Sequence, residues 1–478
     1  MKKKNSLRSI LCILAAAMLA LSGCSYASVP VMSEGPQTGH ADETVTSEGN
    51  GPGDAASDAD EDEKEAAEDA DTAGEEADAE EDIPALRDIV ASDSGLGADS
   101  ICAACIGTQC MGDERFLELI RKHFNAVTLE NELKPDALFG YSNNAPKSGS
   151  IHDEELGGSV ISVPELDFSR ADAILDRILE WNGSNPGKAI RARGHVLVWH
   201  SQTPEWFFHE GYDAAAPYVS KEEMDRRLEW YIKSVLTHYT SEGSRYEGMF
   251  YGWDVVNEAV SDRGGMYRSD IESGSDSLSD PVHSSKSSWW KVYGSSEYIV
   301  NAFRYANKYA PAGLDLYYND YNECDKTKMK GIMNLITEVK SAEGTRLDGF
   351  GMQGHYSVNA PAGEQIADAV AEYAALAGKV MITELDVKPS MFYDGSDEGL
   401  PKEFIRQGKY YRTVYEVLKE QRKLGACVAG ITFWGASDKY SWLADKRPLP
   451  FDEDYRPKPA YWAFADPAVL SGMEEETE

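Results

Sequence analysis

The feature that most constrains the fold is a regular alternation of short apolar segments with longer amphipathic ones, which begins near Leu86. Eight apolar segments have the length and β-branched content of buried strands, at residues 102–109, 124–131, 189–199, 248–258, 314–321, 349–356, 379–387 and 427–436. Helix-like segments lie between and after them, at residues 116–123, 172–181, 221–239, 296–309, 326–341, 366–377 and 404–423. Eight strands alternating with helices form parallel βαβ units, which predict an α/β fold with a closed (β/α)8 (TIM) barrel.

The length of the chain agrees with this prediction. The sequence has 478 residues, and we assign residues 86–470 to one folded domain. A unit of that size exceeds the usual single domain, but α/β barrels routinely reach it. A hydrophobic content of 42% is ample for its core.

The first 24 residues have the pattern of an export signal. Three lysines and one arginine in the first eight residues precede an apolar run at 10–21, which is too short to span a bilayer. The run ends in LSGC, which resembles the lipobox of bacterial lipoproteins. We therefore predict a signal peptide at 1–23, lipidation of Cys24, and an extracellular protein that contacts the membrane only through its lipid. Ordinary cleavage with an incidental Cys24 is the alternative.

Residues 24–85 are predicted to be an acidic, disordered tether. Between residues 41 and 84 there are 19 Asp or Glu and one basic residue, Lys64, so the net charge of this stretch is -18. Such a segment has too little apolar surface to offset the entropy lost on ordering. The whole chain has a formal charge of -36, which argues against nucleic acid as a partner. We expect a monomer.

Five cysteines remain after the signal peptide and the predicted lipidation site: Cys102, Cys105, Cys110, Cys324 and Cys427. An odd number does not predict a complete disulfide framework. The first three begin with a CxxC pair but lack a second pair or nearby histidines, so we expect them to fill a buried strand rather than bind zinc. We predict no metal site.

Polar and aromatic groups follow seven consecutive predicted strands. The carboxyl-terminal strand ends carry the active site in barrels of this kind. The groups are Glu130, Asn131, Glu132 and Lys134 after the second strand; His195, Trp199 and Gln202 around the end of the third; Asn257 and Glu258 after the fourth; Asn319 to Asn322 after the fifth; Gln353 and His355 after the sixth; Glu384 and Asp386 after the seventh; and Trp434, Asp438 and Trp442 after the eighth. Core packing alone does not require this pattern.

Glu258 and Glu384 are the candidate catalytic pair. Each follows a run of β-branched and apolar residues, where an unpaired surface carboxylate would be unusual. The fourth and seventh strands lie across a barrel from each other, so the two side chains can approach one bond from opposite sides. Hydrolysis of a glycosidic bond requires two carboxyl groups in this relation, about 5 to 5.5 Å apart in a retaining enzyme.

Residues 86–466 resemble family 10 of the glycoside hydrolases, a family of endo-β-1,4-xylanases. The matching stretches are FNAVTLENELKP, RGHVLVWHSQTPEWF, WDVVNEA, YYNDYN, GFGMQGHY, ITELDV, and ITFWGASD with SWL. The two glutamate motifs are shared by a whole clan of barrel hydrolases, whereas all seven stretches in this order are specific. The resemblance implies retaining hydrolysis of xylan.

The resemblance also assigns roles to the strand-end residues. It implies that Glu258 is the acid/base and Glu384 the nucleophile, and that Asn257 binds the sugar 2-hydroxyl. His355 would keep Glu384 ionised, with Asp386 orienting the imidazole, while Gln353 and Tyr321 complete the same shell. The sugar-binding subsites on the glycone side would be formed by Glu130, Asn131, Lys134, His195, Trp199 and Gln202, with Trp434 and Trp442 as walls. Carboxylates and water suffice for both steps, so we expect no cofactor.

Two parts of the sequence leave alternatives open. Lys134 is followed by Pro135 and Asp136, where the family usually has an aromatic residue after its lysine. Two long connections, 136–168 and 260–296, would lie on the active-site face as cleft rims or as disordered insertions. The sequence is also compatible with three other functions: a β-glucanase with the same glutamates, a surface lipoprotein that captures glycan without cleaving it, and a cell-wall spacer.

Overall fold

The computed structural model describes residues 83–142, 144–269, 286–393, 395–396 and 398–477. The predicted signal peptide, Cys24 and nearly all of the predicted tether lie outside these residues, as does the middle of the 260–296 connection. The expectations for those segments stay predictions.

Eight parallel strands close into a barrel, which confirms the predicted fold. The barrel strands are β1 Ile101–Ile106, β2 Ala126–Leu129, β5 Arg191–Trp199, β6 Phe250–Asn257, β7 Asp315–Asp320, β8 Gly349–Met352, β10 Lys379–Lys388 and β11 Val428–Phe433; β3 His152–Leu156 and β4 Ser159–Val163 lie outside the barrel. The barrel strands follow one another in this order, and β11 pairs again with β1. The short strand β9, His355–Ser357, pairs with the end of β10.

Helices surround the barrel. The principal ones are α2 Glu114–His123, α4 Ser169–Ser184, α5 Lys221–Thr240, α7 Glu297–Tyr309, α8 Lys326–Ser341, α9 Gly363–Ala377 and α10 Leu400–Lys423; the others are α1 Leu86–Val90, α3 Pro135–Leu138, α6 Ser288–Tyr293, α11 Pro459–Ala465 and α12 Pro467–Thr477. Side-chain caps fix several starts; Asp325 accepts from two backbone N–H groups at the start of α8. Among the described residues, no helix is long and apolar enough to cross a membrane.

The strands are apolar on both faces because each contacts the barrel interior and the helices. In β1 the alternation is visible: Cys102 and Ala104 belong to the main core, whereas Ile101 and Ala103 pack in a separate cluster with Met381. All six residues of this strand are buried. The continuous apolar runs seen in the sequence follow from this two-sided burial.

The cysteines match the expectation of small buried side chains. All five in the described part of the chain are free thiols, four of them buried and Cys427 exposed. Within the same residues, no group of three or more His, Cys, Asp or Glu could hold a metal ion.

Several predicted strands end earlier than expected, and the first and sixth show the physical reason. The first stops at Ile106, because Gly107 begins a 3-10 turn over Thr108–Cys110. The sixth stops at Met352 and resumes at His355. Gly354 separates the two parts with a φ of 81°, a backbone conformation that glycine adopts at little cost.

The connection after β2 is ordered and contains a β-hairpin. It begins with α3, and then His152–Leu156 (β3) and Ser159–Val163 (β4) pair antiparallel. The hairpin packs on α5, where the indole N–H of Trp230 donates to Glu154 at 3.1 Å and Arg226 donates to the Val160 carbonyl at 2.6 Å. The alternative of a disordered insertion was therefore wrong for this connection.

The chain enters the domain near the face where the strands begin. In α1, the guanidinium of Arg87 donates to the carbonyl of Phe124 at 3.0 Å, just before β2. The backbone N–H of Leu86 donates to Nδ1 of His123, the last residue of α2, at 3.3 Å. Residue 83 therefore lies at the opposite end of the barrel from the strand ends that carry the catalytic candidates.

Candidate active site

Glu258 follows β6 directly and has a left-handed backbone conformation, with a φ of 54°. Its backbone N–H donates to the carbonyl of Asn319 at 2.9 Å. Three neutral groups donate to its carboxylate: the indole of Trp199 at 2.9 Å, the amide of Gln353 at 2.9 Å and the amide of Asn257 at 3.1 Å. The carboxylate therefore has a defined orientation at the rim of the barrel.

Glu384 lies within the end of β10 and is almost fully buried. One carboxylate oxygen accepts from the amide of Asn319 at 2.7 Å, and the other lies 3.3 Å from Nε2 of His355. Glu384 is thus held by one neutral donor and one titratable donor.

His355 is part of a chain of three side chains behind Glu384. Its Nδ1 lies 3.0 Å from a carboxylate oxygen of Asp386, and the same oxygen accepts from the indole of Trp442 at 2.8 Å. The rings of His355 and Trp442 are 5.2 Å apart. Asp386 therefore fixes the orientation of both rings at once.

These contacts decide the charges at physiological pH. Burial alone would raise the pKa of Glu384, but the hydrogen bond from His355 and the neighbouring positive charges outweigh it and lower this pKa to about 2. Burial would lower the pKa of His355, but the charge of Asp386 and the hydrogen bonds to Asp386 and Glu384 raise it to about 10. Glu384 is therefore a carboxylate, and His355 is an imidazolium.

Amide side chains connect the two glutamates. The side-chain nitrogen of Asn319 also donates to the oxygen of Asn257 at 3.0 Å, and Gln353 donates to that oxygen at 3.2 Å. The oxygen of Asn319 accepts from the hydroxyl of Thr383 at 2.6 Å. One hydrogen-bonded network thus spans the ends of β6, β7 and β10.

A buried ionic cluster lies beneath this network. Arg193 forms an ion pair with Asp254, and its second terminal nitrogen donates to the carbonyl of Thr383 at 2.8 Å. Nδ1 of His195 lies 2.8 Å from the same Asp254 oxygen, and its ring packs edge-on against Trp434 at 5.4 Å. The cluster connects β5 and β6 to the strand that carries Glu384.

The remaining candidates form a group beside Trp199. The ammonium of Lys134 donates to Asn131 at 3.0 Å and to Gln202 at 3.1 Å, and it lies 5.0 Å from the centre of the Trp199 ring. Glu130 accepts from the amide of Gln109 at 2.9 Å, and burial raises its pKa. The structure thus brings a cation, amides and an indole face to one side of Glu258.

The family follows from a comparison with known sequences. Residues 92–467 match the model of glycosyl hydrolase family 10. The chain belongs to this family.

Relatives of the family 10 domain differ greatly in length. The chain is 33% identical over 344 residues to the bifunctional endo-1,4-beta-xylanase XylA of Ruminococcus flavefaciens, which covers 72% of this chain but 31% of that protein. It is 31% identical over 390 residues to an endo-1,4-beta-xylanase of Geobacillus stearothermophilus, covering 80% of this chain and 97% of the relative. This chain therefore spans about a third of the longer relative and nearly all of the shorter one.

Solved structures give the same family. The CBM22-1 and GH10 modules of an endo-1,4-beta-D-xylanase from Clostridium thermocellum, complexed with xylohexaose, align with a TM-score of 0.64 at 30% identity, and the match covers 80% of this chain and 67% of that one. A family 10 enzyme of Paenibacillus barcinonensis aligns with a TM-score of 0.63 at 29% identity, covering 81% and 98%.

Two expected positions in the family 10 domain need correction. Gln353 and Tyr321 were expected to complete the shell of His355 and Glu384. The carbonyl of Gln353 does accept from the backbone N–H of Glu384 at 2.7 Å, but its side-chain amide donates to Glu258, and the hydroxyl of Tyr321 accepts from Arg268 at 3.3 Å. The cause for Gln353 is the turn at Gly354. It breaks the two-residue period of the strand, so the side chains of Gln353 and His355 contact different partners.

Several polar residues of the site were missed as candidates from the sequence. They are Arg193, Asp254, Arg268, Thr383 and, although its strand end was noted, Asn319. Arg193 and Asp254 each stand inside an apolar strand and are completely buried. A buried charge requires a partner of opposite charge, so two isolated charges on neighbouring predicted strands were an available signal. Arg268 lies in a loop that has no comparable pattern.

Proposed function

We propose that the protein is a retaining endo-β-1,4-xylanase in which Glu384 is the nucleophile and Glu258 the acid/base. The observation that carries this proposal is the difference between the two surroundings. An imidazolium contacts Glu384 and favours its ionised form, which suits attack on an anomeric carbon. An indole and two amides contact Glu258. Three neutral side chains therefore donate to the carboxylate of Glu258, whereas an imidazolium donates to that of Glu384, and this difference assigns proton exchange to Glu258 and attack to Glu384.

The proposed reaction has two steps. First, a carboxylate oxygen of Glu384 bonds to the anomeric carbon while the bond to the leaving oxygen breaks, and that oxygen takes the proton of Glu258. Second, Glu258 takes a proton from water, and the water oxygen displaces Glu384 from the same carbon. Two inversions give net retention. In this proposal Asn257, which contacts both Glu258 and Asn319, binds the 2-hydroxyl of the reacting sugar.

The substrate class rests on the aromatic walls and on the relatives. Trp442 stands against His355, so it narrows the space around a sugar bound next to Glu384. Xylose lacks the hydroxymethyl group of glucose, so such crowding favours xylan over glucan. Discrimination of this kind amounts to only about 1–3 kcal/mol.

Glucan cleavage is the second candidate. One relative, 31% identical over 353 residues, is an exoglucanase of Acetivibrio thermocellus. Parallel assays on xylan and carboxymethyl cellulose decide between the two substrates. If reducing ends are released faster from carboxymethyl cellulose than from xylan, the substrate is a β-glucan rather than xylan. Binding of xylan without hydrolysis would support a capturing protein instead.

Azide rescue tests which glutamate is the acid/base and which is the nucleophile. Glu258→Ala should lose most activity on xylan but keep a fast first step on an aryl xylobioside with a good leaving group. Added azide should then accelerate its second step and give a β-glycosyl azide. Glu384→Ala should be nearly inactive on both substrates and, with azide, yield only an α-product. The opposite pattern would exchange the two roles, and an inverted sugar from the unmodified enzyme would rule out retention.

We further propose that the protein is exported and held at the membrane by a lipid on Cys24. The support is the basic start, the short apolar run and the LSGC sequence. Cys24→Ser should move the enzyme from the membrane fraction to the soluble fraction with unchanged activity. A second form beginning at Ile83 should hydrolyse xylan at the rate of the full chain. Retention of the serine variant in membranes would exclude the anchor.

A further inference from the structure

The backbone around Glu258 is unusual because a residue with a side chain rarely adopts a φ of 54°. Such conformations persist only where the surroundings hold them. The carbonyl of Glu258 accepts from Nε of Arg268 at 3.1 Å, and its N–H donates to the carbonyl of Asn319. The next two N–H groups, of Ala259 and Val260, lie beyond the strand and require acceptors of their own.

A single hydroxyl accepts from both of them. The hydroxyl of Tyr318 lies 3.0 Å from the nitrogen of Ala259 and 3.2 Å from that of Val260. Tyr318 belongs to β7, the strand beside β6, and is completely buried. A phenolic oxygen acting as a double acceptor still has one proton to donate.

That proton goes to Asp320, which lies two residues further along β7. Asp320 is also completely buried, and Lys328 of α8 lies 3.0 Å from its second oxygen. The ammonium of Lys328 also donates to Asp262 at 2.7 Å. Because the hydroxyl of Tyr318 donates its hydrogen bond to Asp320, the lone pairs of its oxygen are free to accept from the two backbone N–H groups.

Helix α8 also supports the turn that follows Glu258. Gly331 is one helical turn after Lys328, and a Cβ at this position would lie 2.1 Å from the carbonyl oxygen of Gly265 and 2.8 Å from Val260. The turn therefore rests directly on the helix backbone. The same helix face supplies the counter-charge for Asp320 and the surface on which the turn packs.

From this arrangement we propose that Tyr318, oriented by Asp320 and Lys328, is a positioning residue for the acid/base. By accepting the two N–H groups after Glu258, its hydroxyl fixes the backbone from which the Glu258 carboxyl group reaches Trp199 and Gln353. Within the described part of the chain, the Tyr318 hydroxyl forms no hydrogen bond with Glu384 or His355. The inference rests on the proposed role of Glu258.

The role predicts a selective defect rather than a general one. In Tyr318→Phe the two N–H groups lose their acceptor, so the Glu258 backbone relaxes and proton transfer weakens, while Glu384 keeps all its contacts. We expect kcat/KM on xylan to fall at least tenfold. The first step on a dinitrophenyl xylobioside, which needs little protonation, should change less than threefold. The second step should slow, so that a burst of dinitrophenol appears.

Tyr461→Phe is the matched control. Tyr461 is also completely buried, and its hydroxyl donates at 2.7 Å to the carbonyl of Pro84, far from the strand ends that form the site. This variant should lose thermal stability with no change in leaving-group dependence. Equal losses on xylan and on the activated substrate in folded Tyr318→Phe would overturn the proposal.

A second variant covers the case in which Tyr318→Phe does not fold. Lys328→Met keeps the Tyr318 hydroxyl but removes the positive charge beside Asp320. Without that charge the buried Asp320 favours its protonated form, which is a weaker acceptor for the hydrogen bond from Tyr318. The same selective loss on xylan is expected, and equal losses on both substrates would again overturn the proposal. Glu258→Ala separates the two hypotheses: if it shows no leaving-group selectivity, the acid/base assignment itself has failed.

Discussion

The side-chain nitrogen of Asn319 lies 2.7 Å from a carboxylate oxygen of Glu384 and 3.0 Å from the amide oxygen of Asn257. One buried amide on β7 thus sets the distance between the proposed nucleophile and the residue next to the proposed acid/base. Neither glutamate can shift along its strand without breaking a contact to this side chain or to its neighbours.

We expect Asn319→Ala to lower kcat at least tenfold, because Glu384 loses a donor and gains freedom to rotate. A tenfold loss corresponds to about 1.4 kcal/mol in the barrier. Steady-state kinetics on xylohexaose measure it. Asn359→Ala is a suitable control, since that amide donates to Ser390 at 3.2 Å and has no part in the network around Asn319 described above, so its kcat should be unchanged. An unaltered kcat in Asn319→Ala would refute the coupling.

His355→Asn should move the acidic limb of the kcat/KM profile to higher pH. With His355 present the pKa of Glu384 is about 2, so the nucleophile stays ionised throughout the acidic range. Removing the imidazolium removes both its hydrogen bond and its charge, two of the influences that oppose burial, so this pKa should rise. The free enzyme then loses its ionised nucleophile as the pH falls, and the limb appears at a higher value. A profile of unchanged shape, merely scaled down, would argue against this electrostatic role.

Stability should fall with acid through His123. Burial lowers the pKa of this residue to about 3, and its neutral ring accepts from the N–H of Leu86. The unfolded chain binds a proton below about pH 6.5 and the folded chain does not. Stability should therefore be lost below that pH at up to about 1.4 kcal/mol per pH unit, until the folded pKa is reached.

Urea unfolding between pH 7 and pH 4 measures this loss. His123→Asn keeps an acceptor near the position of Nδ1 but does not titrate in this range. Its unfolding free energy should depend less on pH than that of the unmodified protein. Parallel curves for the two proteins would assign the acid sensitivity to other groups.

The β3–β4 hairpin should affect stability rather than chemistry. Leu156 is 4% exposed and joins the main core from this hairpin. Leu156→Ala should lower the free energy of unfolding by about 2 to 4 kcal/mol, because it leaves a cavity against the helices. The kcat of the folded variant should remain within twofold of the unmodified value. A large fall in kcat with intact stability would show instead that the hairpin shapes the cleft.

The barrel and the catalytic candidates could be predicted from the sequence because both depend on local patterns. Two-sided burial produces apolar runs, and a glutamate directly after such a run, as at Glu258 and Glu384, has few structural explanations. The connections among strand ends were not readable in the same way. Which glutamate the side-chain amide of Gln353 contacts depends on a single turn at Gly354, and Tyr318 looks like any aromatic core residue until its hydroxyl contacts are known.

The chain enters the domain beside Arg87 and His123, and this position determines where an attachment at the N-terminus lies relative to the cleft that would bind a polymer. Residue 83 and the cleft are at opposite ends of the barrel axis. An enzyme held through its N-terminal segment would therefore be attached at the end of the barrel that is remote from its cleft. The attachment point itself would leave the open face free for a long xylan chain to cross.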